Sequence, residues 1–332
     1  MPEDIPADDI PRGPVVDAVA IGRNEGQRLI ACLDSLQPTA LRRIVYVDSG
    51  STDNSIAEAV ARGVTVVQLD MSQPFTAARA RNAGVAALAT GDQAPDYIQF
   101  IDGDCVLDAE WLPLATEFLN SNPVVAVACG RRREIAPEAS VYNRLIDQEW
   151  NTPIGQTRSC GGDALMRASA FAEVGGFDPV LIAGEEPELC VRLRQAGWQI
   201  WRLNAEMTRH DAAIHRFGQW WRRTRRAGHA YAQGAALHGA PPERHNVAQT
   251  RRAMIWGFAL PLVALLGGLL ISPIFLLLLL AWPAQILRLS LRDGDLTRAT
   301  FLTLGKVPEA LGVIEYWFKR WTGRGGKLIE YK

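Results

Sequence analysis

Between Ala253 and Leu287 the chain runs for 35 residues without an Asp, Glu, Lys or Arg. One membrane-spanning helix takes roughly 20 apolar residues, so the stretch is long for one span and short for two full ones. Gly267-Gly268 and Ser272-Pro273 offer a break near its middle. The five successive leucines from Leu276 to Leu280 suit lipid better than a patterned core. Arg251 and Arg252 precede the stretch and Arg288 and Arg292 follow it. The positive-inside rule then sets both ends on the cytoplasmic side. The pattern predicts a tight or re-entrant membrane hairpin over 253–291; two buried helices of a soluble core are the competing reading.

Charge is distributed unevenly around that hairpin. The formal net charge is −1, yet residues 1–200 carry 16 basic against 28 acidic side chains. Residues 201–252 carry 10 basic and 3 acidic, and residues 288–332 carry 9 and 5. We expect a flexible tail over 1–14, a soluble domain over 15–212, a basic segment over 213–252 and a cytoplasmic basic tail over 292–332. The first 14 residues hold four prolines and four acids with no apolar run. They do not form a signal peptide, and the soluble domain is expected to face the cytoplasm at its membrane. Cys32, Cys105, Cys129, Cys160 and Cys190 stand singly. That spacing excludes a Cys-x-x-Cys zinc cluster and argues for a reducing compartment.

In the basic segment, Ile214, Phe217, Trp221 and Tyr231 fit one helical stripe, and Arg216, Arg222, Arg223, Arg225 and Arg226 crowd the rest. Such a helix suits an anionic membrane surface. Nucleic acid would answer to the same charge, but no nucleic-acid motif accompanies it, so nucleic acid is not an expected partner. Gln219-Trp220-Trp221-Arg222-Arg223 matches the Gln-x-x-Arg-Trp of processive polysaccharide synthases only in part.

From Val15 to about Leu203 short apolar runs alternate with helical patterns. Strands are predicted at 15–21, 43–47, 64–69, 97–101 and 124–129, with helices at 26–36, 54–61, 75–89 and 109–119. This order predicts an α/β fold with a mostly parallel sheet flanked by helices, and a ligand beyond the C-terminal strand ends. The loops after Ile21, Val47 and Ile101 hold the candidates. Neither G-x-G-x-x-G after the first strand nor a P-loop motif is present.

Asp102-Gly103-Asp104 leaves an apolar strand with two carboxylates, the hard oxygen ligands that Mg or Mn takes. Taken alone it is an ordinary turn. Asp48 ends the second strand, where its carboxylate could accept a hydrogen bond from a nucleobase; Ser51 to Asn54 read equally as helix caps. Gly22-Arg23-Asn24-Glu25 puts another polar group at the same edge. Arg79 and Arg81 are either solvated helix charges or phosphate partners.

Ala-Ile-Gly-Arg-Asn-Glu, Val-Asp-Ser-Gly-Ser-Thr-Asp, Ala-Arg-Asn-x-Gly and Ile-Asp-Gly-Asp occur here in the order and spacing of family 2 glycosyltransferases. The resemblance runs from about Val15 to Asp211. Ser159 to Arg167 resembles the family's glycine-rich donor segment, Val174 to Asp178 its turn, and Gly184-Glu185-Glu186-Pro187-Glu188-Leu189 its Gly-Glu-Asp-x-x-Leu. The resemblance implies a GT-A fold and an inverting transfer from a nucleotide-sugar, with a divalent metal. Its implied donor contacts are Arg23, Glu25, Asp48, Arg79, Arg81, Asp102, Gly161 and Gly162. Its implied metal ligands are Asp102, Asp104 and His210. Glu186 replaces the family's catalytic Asp, which leaves the base open between Glu185 and Glu186. Asp48 suits uracil, so a UDP-sugar is favoured. The hairpin points to a lipid-linked or membrane-adjacent glycan acceptor. The replacement at 186 also admits a non-catalytic donor-binding or scaffold subunit, and the hydrophobic stretch alone a transport component.

Overall fold

The computed structural model describes residues 13–90 and 93–323. Nine strands form one sheet: β1 (Val16–Gly22), β2 (Arg43–Asp48), β3 (Thr65–Gln68), β4 (Tyr97–Asp102), β5 (Cys105–Leu107), β6 (Val125–Glu134), β7 (Gly155–Thr157), β8 (Ala164–Arg167) and β9 (Gln199–His210). Their order is β3-β2-β1-β4-β8-β6-β9-β5, with β7 paired to β9. The first four strands are parallel, as the alternation predicts. β8 enters antiparallel beside β4 and β6, and β6 runs parallel to β9, so the whole sheet is mixed.

β1 is apolar on both faces because helices cover both; only Asp17 interrupts it. That carboxylate is fully buried and bonds Arg42 and Arg43, which removes the cost of an unpaired interior charge. β1 and β4 mark the point where chain order turns back across the sheet. Register sets Ile21 beside Asp102 and Gly22 beside Asp48, so the three candidate loops share one edge. Gly84 lets the helix Ala77–Leu88 lie on this sheet, since a Cβ there would fall 2.3 Å from Val19 Cγ1.

The C-terminal third is helical. Val247–Leu270 and Pro273–Asp293 are each long and apolar enough to cross a membrane, and both are mostly exposed. At 24 residues the first spans about 36 Å. The turn between them falls at Ile271-Ser272, where the second break signal lies. Gly267 permits it: a Cβ would sit 2.4 Å from Phe275 Cδ1.

Two expectations change here. Of the apolar stripe expected in this segment, Ile214 is buried, Trp221 and Tyr231 are half-buried and Phe217 stays exposed at the start of the helix Phe217–His238. Ile214 and Trp220 are buried in a cluster with Tyr142, Trp150, Phe301 and Leu304. Two arginines of the same segment meet acids of the protein: Arg223 pairs with Glu149 at 2.9 Å and Arg225 with Glu315 at 2.7 Å. Nor are the residues after the hairpin simply a tail. Leu296–Leu304 and Lys306–Thr322 are helices. The latter crosses Phe217–His238 at backbone distance, because Cβ atoms on Gly228 and Gly312 would each lie 2.0 Å from a carbonyl of the other helix. Helix spacing this close needs glycine, which the charge pattern of the segment does not reveal. Residues 1–12 of the expected N-terminal tail and residues 324–332 lie outside the described part.

Candidate active site

A cavity of about 670 Å³ opens at the C-terminal ends of β1 and β4. Arg23, Asn24, Glu25, Asp102, Asp104, Arg132, Trp150 and His210 are among its walls. Asp104 and His210 meet because β5 turns back directly after Asp102-Gly103-Asp104 and pairs antiparallel with β9, with Cys105 opposite His210. His210 Nε2 lies 3.3 Å from Asp104 Oδ1. Burial, and then the charge of Arg132, push the His210 pKa down to about 3. The imidazole is therefore neutral near pH 7 and keeps a lone pair to offer. Donor atoms of Asp104, Cys105 and His210 all lie within 4.8 Å of one another. A buried carboxylate and a neutral imidazole at this spacing fit a divalent cation.

Asp102 is placed differently from Asp104. Its Oδ1 accepts from Arg81 Nη2 at 2.7 Å and its Oδ2 from Arg132 Nη2 at 3.2 Å. Burial pushes its pKa up, but Arg81, Arg132 and His210 outweigh that and hold the carboxyl well below the usual range. Its backbone N–H donates to Asp163, which also accepts from Thr208. Arg81 is 2% exposed and spans to Glu185 Oε1, again at 2.7 Å. It acts within the protein as a bridge between two acids rather than as a solvated charge. Gly162 backs onto this bridge: a Cβ would lie 2.7 Å from Arg81 Nη2 and 3.0 Å from Asp102 Oδ2. Gly161 has no neighbour within 4 Å of its Cβ position.

The remaining candidates divide. Arg23 stacks 4.7 Å over the Phe75 ring, and Glu25 pairs with Arg28 at 2.9 Å on the cavity rim. Asp48 is buried and shapes its own turn, accepting from Tyr46 Oη and from the N–H groups of Gly50 and Ser51. Arg79 donates to the carbonyls of Asp70, Gln73 and Pro74, and so clamps the 70–74 loop. Glu186 is 4% exposed and accepts from the Cys160 backbone N–H and from the thiols of Cys160 and Cys190. Burial raises its pKa well above the ordinary value. Of the two acids, Glu185 reaches the Arg81–Asp102 bridge and Glu186 turns to the thiols.

Sequence reading misses Arg132, which also stacks 4.8 Å over Trp150. The run Arg131-Arg132-Arg133 was the available signal, but β6 was expected to end at Cys129. The strand instead continues to Glu134 and carries Arg132 to the cavity. Trp150, edge-on to His210 at 4.7 Å, gave no local signal, since it comes from the end of the helix Val141–Trp150.

Residues 19–173 match the sequence model described as Glycosyl transferase family 2. Succinoglycan biosynthesis protein ExoA of Rhizobium meliloti is 28% identical over 54% of this chain and 57% of its own length. A pre-mycofactocin glycosyltransferase of Mycobacterium tuberculosis is 28% identical over 60% of this chain and 44% of its own. The chain thus spans about half the length of these curated relatives. Among solved structures, a mannosyltransferase from Pyrobaculum calidifontis, PcManGT, in complex with GDP-Man and Mn2+, superposes with a TM-score of 0.66. It is 17% identical, and the match covers 93% of this chain and 89% of that one. Glucosyl-3-phosphoglycerate synthase of M. tuberculosis, with Mn2+ and UDP-glucose, follows at a TM-score of 0.50 and 20% identity over 69% of this chain and 81% of that one. Likeness at that identity speaks for the fold alone. Residues 19–173 of this chain are thus similar to glycosyltransferase family 2 domains, and the fold is GT-A-like.

Proposed function

We propose that the chain is a membrane-associated, metal-dependent, inverting glycosyltransferase. It moves a sugar from a nucleotide-sugar to a hydroxyl of a lipid-linked or membrane-adjacent acceptor. The observation that carries the reading is the meeting of Asp104 and His210 beside Asp102 in one strand-end cavity of a domain similar to family 2. A divalent ion held by Asp104 and His210 would stabilise the charge that builds on the leaving diphosphate. Arg132 adds a fixed cation on the same wall. Arg23 and Asn24 line the side where the nucleotide enters, and Asp48 holds the turn beneath it. An acceptor hydroxyl is a poor nucleophile until a carboxylate takes its proton. Glu185 is the better placed of the two acids, since it lies at the Arg81–Asp102 bridge.

The two apolar helices support membrane association. So does the helix Lys306–Thr322, which starts against Gly257, near the charged end of the first apolar helix. It exposes Trp317, Phe318 and Trp321 beside Lys319 and Arg320. Aromatic and basic side chains at that level suit the lipid headgroup region, with the catalytic domain on the cytoplasmic side. A UDP-sugar is the favoured donor. The test is a thermal-shift series of UDP-, GDP- and dTDP-sugars with Mn2+, followed by transfer from the stabilising donor. A ligand that favours the native state raises the midpoint. No shift with any donor, or full transfer by a folded Asp104→Ala protein, would remove the reading.

A further inference from the structure

The cysteines are dispersed in sequence, yet folding gathers two of them around one carboxylate. Glu186 and Cys190 are four residues apart on the helix Glu185–Gln195 and so share a face. Cys160 reaches them from the loop between β7 and β8. Both thiols donate to Glu186 Oε1 at 2.9 Å, and the two sulfurs are 4.0 Å apart. Cys129, on β6, adds a third thiol next to Cys160. Among the described residues no Lys, Arg or His pairs with Glu186. Its helix neighbours differ: Glu185 pairs with Arg81, and Glu188 with Arg192 and His238. Glu186 is thus held in the interior by thiol and amide donors alone.

We propose that Cys160, Glu186 and Cys190 form a second metal site, for a thiophilic divalent cation of the zinc type. The ion fastens the 158–162 loop to the helix Glu185–Gln195. The three donor atoms lie within 4.8 Å of one another. Tetrahedral zinc at about 2.3 Å from each sulfur sets two sulfurs roughly 3.8 Å apart, close to the 4.0 Å found here. Two thiolates select zinc over the Mg or Mn that suits Asp104 and His210. As the ion binds, each thiol and the Glu186 carboxyl release their protons to solvent, so that two thiolates and a carboxylate ligate it. The loop so held carries Gly162, which backs onto Arg81 and onto Asp102, a residue of the strand-end cavity wall. The site stands independently of the sugar-transfer reading.

Cobalt(II) is the probe. The full chain, purified in detergent, kept reduced and stripped with a chelator, is titrated with Co2+. One equivalent should give a near-ultraviolet thiolate-to-cobalt band with tetrahedral visible bands, and zinc should erase both. Cys160→Ser and Cys190→Ser should each remove about half or more of the thiolate band, since each deletes one of two sulfur ligands. Glu186→Gln keeps the side-chain volume and should weaken Co2+ binding about tenfold or more; it covers the case of a serine variant that fails to fold by circular dichroism. Cys105→Ser, which alters the thiol beside Asp104 and His210, should leave the spectrum intact. No thiolate band in the native chain overturns the assignment. So does a band that survives both Cys160→Ser and Cys190→Ser, or one lost only in Cys105→Ser.

Discussion

Replacing Arg81 by Met removes a guanidinium that holds two acids in the interior. Arg81 is 2% exposed, and its bonds to Asp102 and Glu185 are each 2.7 Å. Breaking a buried pair from one side costs about 3–5 kcal/mol, chiefly because the partner charge is left uncompensated. Two features of this site lower that figure. Asp102 is 27% exposed and keeps Arg132 at 3.2 Å, and Met fills most of the vacated volume. We therefore expect a loss of about 3 kcal/mol, or roughly 6–12 °C in thermal midpoint. The assay is unfolding of the full chain in detergent, followed by circular dichroism, for Arg81→Met, Asp102→Asn and the double variant. Because the two side chains touch, the double variant should be less damaged than the sum by about 1 kcal/mol or more. A single-variant loss under about 1 kcal/mol, or strict additivity, would refute the reasoning that Arg81 is an internal bridge.

The helix crossing and the rear ion pairs give further outcomes. Gly312→Ala places a Cβ 2.0 Å from the Arg225 carbonyl, and overpacking of this kind costs about 2 kcal/mol or more; an unchanged unfolding midpoint would mean that the two helices are not in backbone contact. Glu188 bonds Arg192 at 2.7 Å and His238 at 2.9 Å, and these partners outweigh burial to hold its pKa below the ordinary value. Its stabilising contribution is therefore complete above the unfolded carboxylate pKa of about 4.3 and fades as pH falls through the lower folded value. The stability gap between the native chain and Glu188→Gln should close below about pH 4; a gap unchanged at pH 3 contradicts this.

The front half of the fold was legible because each of its signals is local. The apolar runs of β1, β2 and β4 are short, bounded by turn residues and separated by helical patterns, and the parallel order follows from that alternation. The shared edge of Asp48, Asp102 and the 22–25 loop follows as well. Partners supplied from a distance in sequence were not legible. Arg132 arrives only because β6 runs five residues past its apolar core, held by pairing with β9. Arg79 and Arg81 look alike in sequence, two residues apart, yet one clamps the 70–74 loop and the other bridges two acids. Their difference is the face of the helix that meets the sheet. The basic helix Phe217–His238 misled for the same reason. Its amphipathic pattern reports that an apolar stripe is covered, and the cover is the protein's own C-terminal helices.

The Asp102-Gly103-Asp104 motif invites one reading for both carboxylates, and the side chains divide the work instead. Asp102 lies between two guanidiniums, Arg81 at 2.7 Å and Arg132 at 3.2 Å, so most of its charge is already compensated. Asp104 is joined at 3.3 Å by an imidazole whose pKa is pushed down to about 3, so its nitrogen neighbour is uncharged near pH 7. A divalent cation gains more from a carboxylate beside a neutral donor than from one already between two cations. On the proposed function, Asp104→Asn should therefore abolish Mn2+ binding by isothermal calorimetry while the metal-free midpoint holds to within about 2 °C, equivalent to under 1 kcal/mol. Asp102→Asn should do the reverse. It should lower the metal-free stability by about 1–3 kcal/mol, as the buried Arg81 and the half-buried Arg132 each lose an anionic partner. Its Mn2+ affinity should fall by less than about tenfold, or 1.4 kcal/mol. If Asp102→Asn abolishes Mn2+ binding without destabilising the chain, Asp102 ligates the ion directly and the division fails.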